Sequence, residues 1–189
     1  MTHRRLIAAG WLAMVSAALT VPWVIATFFL ADKSGAAAKA VEASLLVCGT
    51  VLFVYLLATL RRLLHERYDF RTTDGAIALL IKANIVSAAV ALLGLAVPSM
   101  EESIGVFGII MVVIVGILQL SFGFKLLQLP TTLKGLHKPY CYLNMVTGVC
   151  TAMIILLPVG VLTSAVADVM LGTIFFHAAT EPKPEPSED

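Results

Sequence analysis

The chain has 189 residues, of which 59% are hydrophobic and 13% charged, with a mean hydropathy of +0.94; an ordinary soluble domain carries about 25% charged residues. A water-soluble fold of this length has no means of hiding so much apolar surface, so that class is excluded and hydrocarbon is the expected solvent for most of the chain. A formal net charge of +1, without any long lysine or arginine block, excludes a nucleic-acid or polyanion binder.

Crossing about 30 Å of hydrocarbon at 1.5 Å per residue takes about 20 residues of helix, and each apolar run can be measured against that length. After Met1-Thr-His-Arg-Arg5 come 26 uncharged residues, Leu6 to Ala31, longer than the core of a secretory signal and therefore read as a retained span over 6–30. Spans are also predicted over 43–62, 75–97 and 103–127. The stretch Pro139 to Thr180 holds 42 residues and a single charge, Asp168, about twice the length one crossing uses, so it must double back. Pro158-Val-Gly160 is the predicted reversal, since proline removes a backbone donor and glycine accepts the dihedrals of a tight turn. This gives spans over 140–157 and 161–178, of about 18 residues each. A five-span alternative replaces that last pair with one long tilted helix or a re-entrant segment. The tail over 181–189 is rich in proline and acid and is expected to be disordered.

The expected fold is therefore an all-α membrane protein, a bundle of about six transmembrane helices forming a single domain over 1–180. Lysine and arginine lie unevenly between the spans. Arg4 and Arg5 precede the first, Arg61, Arg62, Arg67 and Arg71 separate the second from the third, and Lys125, Lys134 and Lys138 separate the fourth from the fifth. The other connections carry Lys33 and Lys39, then only Glu101 and Glu102, then no charge. Positive flanks stay on the cytoplasmic side during insertion, so both termini are expected there, with the chain in a cytoplasmic (inner or plasma) membrane.

Odd spans share a pattern, Met14-Val-Ser-Ala-Ala18, Asn84-Ile-Val-Ser-Ala-Ala89 and Asn144-Met-Val-Thr-Gly-Val149. Even spans share Gly49-Thr-Val-Leu-Phe53 with Gly172-Thr-Ile-Phe-Phe176, and two connections share Leu64-His-Glu-Arg-Tyr68 with Leu136-His-Lys-Pro-Tyr140. Three tandem helical hairpins would produce all of these, against the alternative that apolar alphabets match by chance. Ser16 with Thr20, Ser87 with Ala91 and Thr147 with Thr151 recur four apart, a spacing that lets neighbouring helices approach closely; lining a solute path is the less common use of the same hydroxyls.

Asp168 sits near the middle of the sixth span, where a bare carboxylate costs roughly 2.5 to 3.5 kcal/mol. Lys82, about two turns inside the third span, is the basic residue nearest in depth, and a Lys82–Asp168 pair would offset both charges. Alternatively Lys82 snorkels to the interface while Asp168 keeps a proton or bonds to a neighbouring helix. Asn84, Asn144 and Gln119 fit either interhelical hydrogen bonds or, with Asp168, a polar cavity. Arg61, Arg62, Arg67 and Arg71, interleaved with Leu63, Leu64, Tyr68 and Phe70, form a basic amphipathic extension suited to anionic lipid or an acidic partner. His65 and His137 fall in the connections and His177 near the last span's end, without ligand spacing, and Cys48, Cys141 and Cys150 read as small packing residues, so no metal or cofactor is expected. No phosphate-binding glycine loop, nucleophile elbow, zinc-protease helix or dithiol motif occurs, and no enzyme activity is expected.

The function expected from these features is that of an accessory or scaffold subunit, packing against lipid, other membrane proteins or a second copy. The alternative is a small-solute or proton-coupled transporter or channel subunit that uses Asp168.

Overall fold

The computed structural model describes residues 2–31, 35–97, 99, 101–129 and 135–180. Six helices follow one another: α1 His3–Ala31, α2 Ala36–Tyr68, α3 Asp74–Ala96, α4 Glu101–Leu127, α5 His137–Ala152 and α6 Leu157–Thr180. There is no strand among the described residues. Five helices are long and apolar enough to cross a membrane; α5, at 16 residues, is the short one. The tail 181–189, together with Lys33 and Lys134, lies outside the described residues.

Apolar runs of this kind become helices because a helix satisfies its own backbone groups wherever the surroundings cannot. Local chemistry then sets the ends. α2 stops where Asp69 adopts a left-handed conformation, φ 44°, and closes its N–H onto Leu64 O. The doubling back in the last apolar stretch is present, but its place differs from the expectation. α5 ends at Ala152, the chain turns through Met153 and a short 3₁₀ segment, Ile154–Leu156, and Pro158 lies in the first turn of α6. Proline at that position breaks no helical hydrogen bond, because the first N–H groups of any helix lack an acceptor, so it starts a helix here rather than ending one. The two helices accordingly have 16 and 24 residues instead of about 18 each.

Each helix packs against its neighbours in sequence, and α6 packs back on α1, so the six close into a ring. No helix backbone packs on one across the ring among the described residues. The two most extensive interfaces, α4 with α5 and α1 with α6, are built on glycine. A methyl group on Gly116 would stand 2.6 Å from Ala152 N, and one on Gly148 would stand 2.6 Å from Leu120 N, distances that no real side chain tolerates. A methyl group on Gly172 would stand 3.0 Å from Gly10 O across the other interface, where Trp11 stacks edge-on against Phe176 with ring centres 5.7 Å apart. Bare backbone surfaces of this kind maximise dispersion contact where no hydrophobic driving force operates between helices.

The interior of the ring differs along its length. At the end where α1 starts and α6 finishes, Leu6, Leu60, Leu64, Ile77, Phe122, Leu126, Ile174 and Phe175 are fully buried and fill the space from five helices. Tyr140 and Cys141 of α5 complete this plug. Outside the ring the pattern is reversed: Trp11, Val51, Ile109, Ile117 and Ile155 are exposed. Apolar side chains therefore cover the outer face almost without interruption, far beyond the few hundred Å² typical of a soluble monomer.

Candidate functional site

Above the plug the ring is hollow. A cavity of about 520 Å³ is lined by residues of all six helices. Its polar wall comprises Ser16 and Thr20 of α1, Asn84 of α3, Gln119 of α4, Thr147 and Thr151 of α5, and Ser164 and Asp168 of α6. Leu19, Val24, Leu52, Phe53, Val112, Leu157 and Val161 supply the apolar remainder. Asp168, Ser16 and Asn84 stand near the midpoints of their helices, while Leu157 opens α6, so the cavity runs from mid-height toward the end of the ring away from the plug.

The helical period places these groups. Ser16 and Thr20 are one turn apart on α1, as are Thr147 and Thr151 on α5, and Leu157, Gly160, Val161, Ser164 and Asp168 repeat at three and four along one face of α6. Ser16 Oγ donates to Asp168 Oδ2 at 2.8 Å, joining residues 152 positions apart. An ionised carboxylate offers about four acceptor sites. The Ser16 hydroxyl occupies one, leaving most of the acceptor capacity of Asp168 directed at the cavity. Thr20 is turned back on its own helix, donating to Ser16 O at 2.8 Å, and the Thr147 and Thr163 hydroxyls meet between α5 and α6 at 2.9 Å. Among the described residues Asp168 is the one carboxylate in the wall, and no lysine, arginine or histidine lines it.

Asn84 stands at a partition. It also lines a second space of about 320 Å³ between α2, α3 and α4, where Asn84 Oδ1 and Ser87 Oγ are buried without a hydrogen-bond partner. Unpaired buried oxygens are uncommon because each forfeits its hydration, and they mark places where a solute or water donor would be accepted.

The residues singled out from sequence are distributed as follows. Asp168, Asn84 and Gln119 come together in the central cavity. Asn144 does not join them: it is buried and donates from Nδ2 to Tyr140 O at 2.9 Å, a bond within its own helix. Lys82 is exposed on α3, a helix that does not pack on α6, so the Lys82–Asp168 pair is absent and the charge of Asp168 meets Ser16 instead. Arg61 reaches Asp74 from Nε at 3.2 Å, and His65 Nε2 meets the same carboxylate at 2.6 Å, clamping the end of α2 to the start of α3. Arg62 pairs with Glu66 at 3.5 Å, and Arg71 with Asp69 at 3.5 Å on the surface. His137, expected at the surface, is buried at the start of α5, with Nε2 2.7 Å from Leu126 O at the end of α4. Among the described residues no three of His, Cys, Asp and Glu converge as metal ligands would.

Sequence reasoning ranks a solute-lining role for Ser16, Thr20, Thr147 and Thr151 below close packing, reads Cys48 as a packing residue and does not find Ser164; all six line the wall. The i, i+4 spacing of Ser16 with Thr20 and Thr147 with Thr151 was the available signal, but the same spacing serves close helix packing, and only the closure of the ring separates the two uses. Comparison with protein-family models, curated proteins and solved structures finds no match to the chain.

Proposed function

We propose that the chain is an integral membrane protein of six spans, arranged as three consecutive hairpins with both termini cytoplasmic, and that it binds a small cationic or hydrogen-bond-donating solute in the centre of the ring, as a transporter or channel subunit does. The observation that carries this reading is the cavity of about 520 Å³ whose wall gathers eight polar side chains from five helices, one of them the Asp168 carboxylate. Intramembrane polar groups are costly and face cavities or partners where they occur. With Asp168 the wall's one carboxylate and no basic residue in that wall among the described residues, the electrostatics suit a cation. Binding and passage require no bond to be made or broken, so the reading involves no catalytic step. The sequence-based expectation of an accessory subunit rested on the scarcity of intramembrane polar groups; their convergence in one space moves the weight to solute binding. Closure by the apolar plug at the terminal end makes the cavity a vestibule facing the side opposite the termini.

Cys48 lines the same space and reports on it. In reconstituted full-length protein, a cationic methanethiosulfonate reagent is expected to modify Cys48 faster than an anionic one of similar size, with Cys48→Ala as the blank. Replacing Asp168 by Asn should reduce that cation preference by roughly tenfold, the scale of focusing by one charge in a cleft. If Cys48 resists both reagents the space is dry, and if the preference survives Asp168→Asn the carboxylate does not set the selectivity; either result overturns the reading.

A further inference from the structure

A second cleft, of about 730 Å³, opens at the plugged end of the ring between α1, α2 and α3. It lies beside the least extensive interface of any neighbouring pair in the ring, that of α1 with α2. Its rim is basic. Arg5 of α1 and Arg61 and Arg62 of α2 border it, and Arg5 is exposed with no ion-pair partner among the described residues. Its floor is mostly apolar: Tyr55 and Ala58 of α2 and Ile81 of α3, with Thr59 and His65 of α2 also in the lining.

The two halves lie on one continuous surface. Tyr55, Ala58, Arg62 and Glu66 follow at three and four along a single face of α2. Seven residues of helix separate Tyr55 from Arg62, roughly 10 Å at 1.5 Å per residue, so the surface passes from charge to hydrocarbon-compatible groups over about the depth of a lipid headgroup region. Counting Glu66 and the three arginines, the lining carries net positive charge, while Asp74 is engaged with both Arg61 and His65. A free inorganic anion would use only the rim. An anionic phospholipid uses both halves, its phosphate among the arginines and one acyl chain on the floor.

We propose that this cleft is a binding site for an anionic phospholipid, with Arg5, Arg61 and Arg62 at the phosphate and Tyr55, Ala58 and Ile81 along the acyl chain. The proposal rests on the membrane-integral reading but is independent of any solute in the central cavity. It also divides the arginines that the sequence grouped together, since Arg67 and Arg71 do not line the cleft.

Native mass spectrometry of the full chain, released from micelles with phosphatidylglycerol or phosphatidylcholine added, tests this directly. Wild-type protein is expected to retain phosphatidylglycerol in preference to phosphatidylcholine. Arg5→Gln with Arg62→Gln should lower retained phosphatidylglycerol roughly fivefold for each charge removed, whereas Arg67→Gln with Arg71→Gln should leave it near wild type. Ala58→Phe, at an exposed position, fills the floor without altering charge and should also reduce retention. Equal losses in the two arginine pairs would mean diffuse surface attraction and overturn the proposal. So would displacement of the lipid by millimolar glycerol phosphate, which carries the headgroup chemistry without the chain.

Discussion

Asp168 and Ser16 meet at 2.8 Å across the α1–α6 interface, and the chemistry of that contact separates two roles that a single substitution would confuse. Serine is the donor and the carboxylate the acceptor, so Ser16→Ala deletes the bond while Asp168→Asn retains an acceptor oxygen in the same place. Interhelical bonds of this type are worth about 1 kcal/mol. Ser16→Ala is therefore expected to lower the unfolding midpoint in detergent by that order, while Asp168→Asn leaves it near wild type and alters only the preference of the cavity for cations. A larger stability loss in Asp168→Asn than in Ser16→Ala would make the carboxylate a structural element. The same residue shows what the sequence could disclose. That Asp168 needs a partner follows from its depth in an apolar run; that the partner is Ser16 and not Lys82 follows from ring order, which brings α6 against α1 and keeps α3 away. Asn84 and Asn144 teach the same lesson, for their matched sequence places do not give matched surroundings: one lines two cavities and the other bonds to Tyr140 O.

Among the elements, the helices were legible because an apolar run near the length of a membrane's hydrocarbon has few alternatives to helix. The ends were less so. Helices α2 and α6 outlast their apolar runs because polar residues at a helix end cost nothing in water, and Pro158 entered a helix whose first turn accommodates it. Packing was the least visible level. Glycines are scattered through the chain, and nothing in composition distinguishes Gly116 and Gly148, which meet backbone across α4 and α5, from Gly105 and Gly108 on the same α4, which face open space. Substitution discriminates them sharply. Gly148→Ala places a methyl group 2.6 Å from Leu120 N, must push two helices apart, and is expected to cost about 1 to 3 kcal/mol or prevent folding. Gly105→Ala and Gly108→Ala should be neutral or stabilising by up to about 1 kcal/mol, because alanine favours helix and meets no neighbour. Thermal unfolding of the three variants in one detergent checks the order; comparable losses in all three would dismiss the close backbone approach as the basis of the α4–α5 interface.

At the level of the whole molecule, the six crossings proposed above and a ring closed by α6 on α1 demand the same thing of the two chain ends. His3 Nδ1 lies 2.9 Å from Ala179 O, so the first residues of α1 and the last of α6 occupy one end of the ring. Arg4, Arg5, Arg61, Arg62 and Arg67 gather at that end, which is the cytoplasmic one in the orientation proposed above from the positive-inside rule. The short α5 is the decisive element. Its 16 residues rise about 24 Å, less than the hydrocarbon thickness of about 30 Å, so the proposed six-span arrangement requires the 3₁₀ turn and a locally thinner or tilted passage for it to cross. Were it to fail to cross, α6 would run the other way and carry its end to the opposite face. Fluorescent-protein and alkaline-phosphatase reporters fused in turn to the amino and carboxyl ends separate these cases. Both ends are expected to fluoresce and to lack phosphatase activity, while phosphatase inserted between α3 and α4 should be active. An active phosphatase at the carboxyl end alone would reduce the count to five and dismantle the closed ring. In the proposed orientation, with both ends inside, the plug of Leu6, Leu64, Phe122 and Phe175 would seal the cytoplasmic half and the Asp168 vestibule would face outward. Passage of a solute then requires those side chains to separate, which places the moving part of any transport cycle at the terminal end of the ring and not at the carboxylate.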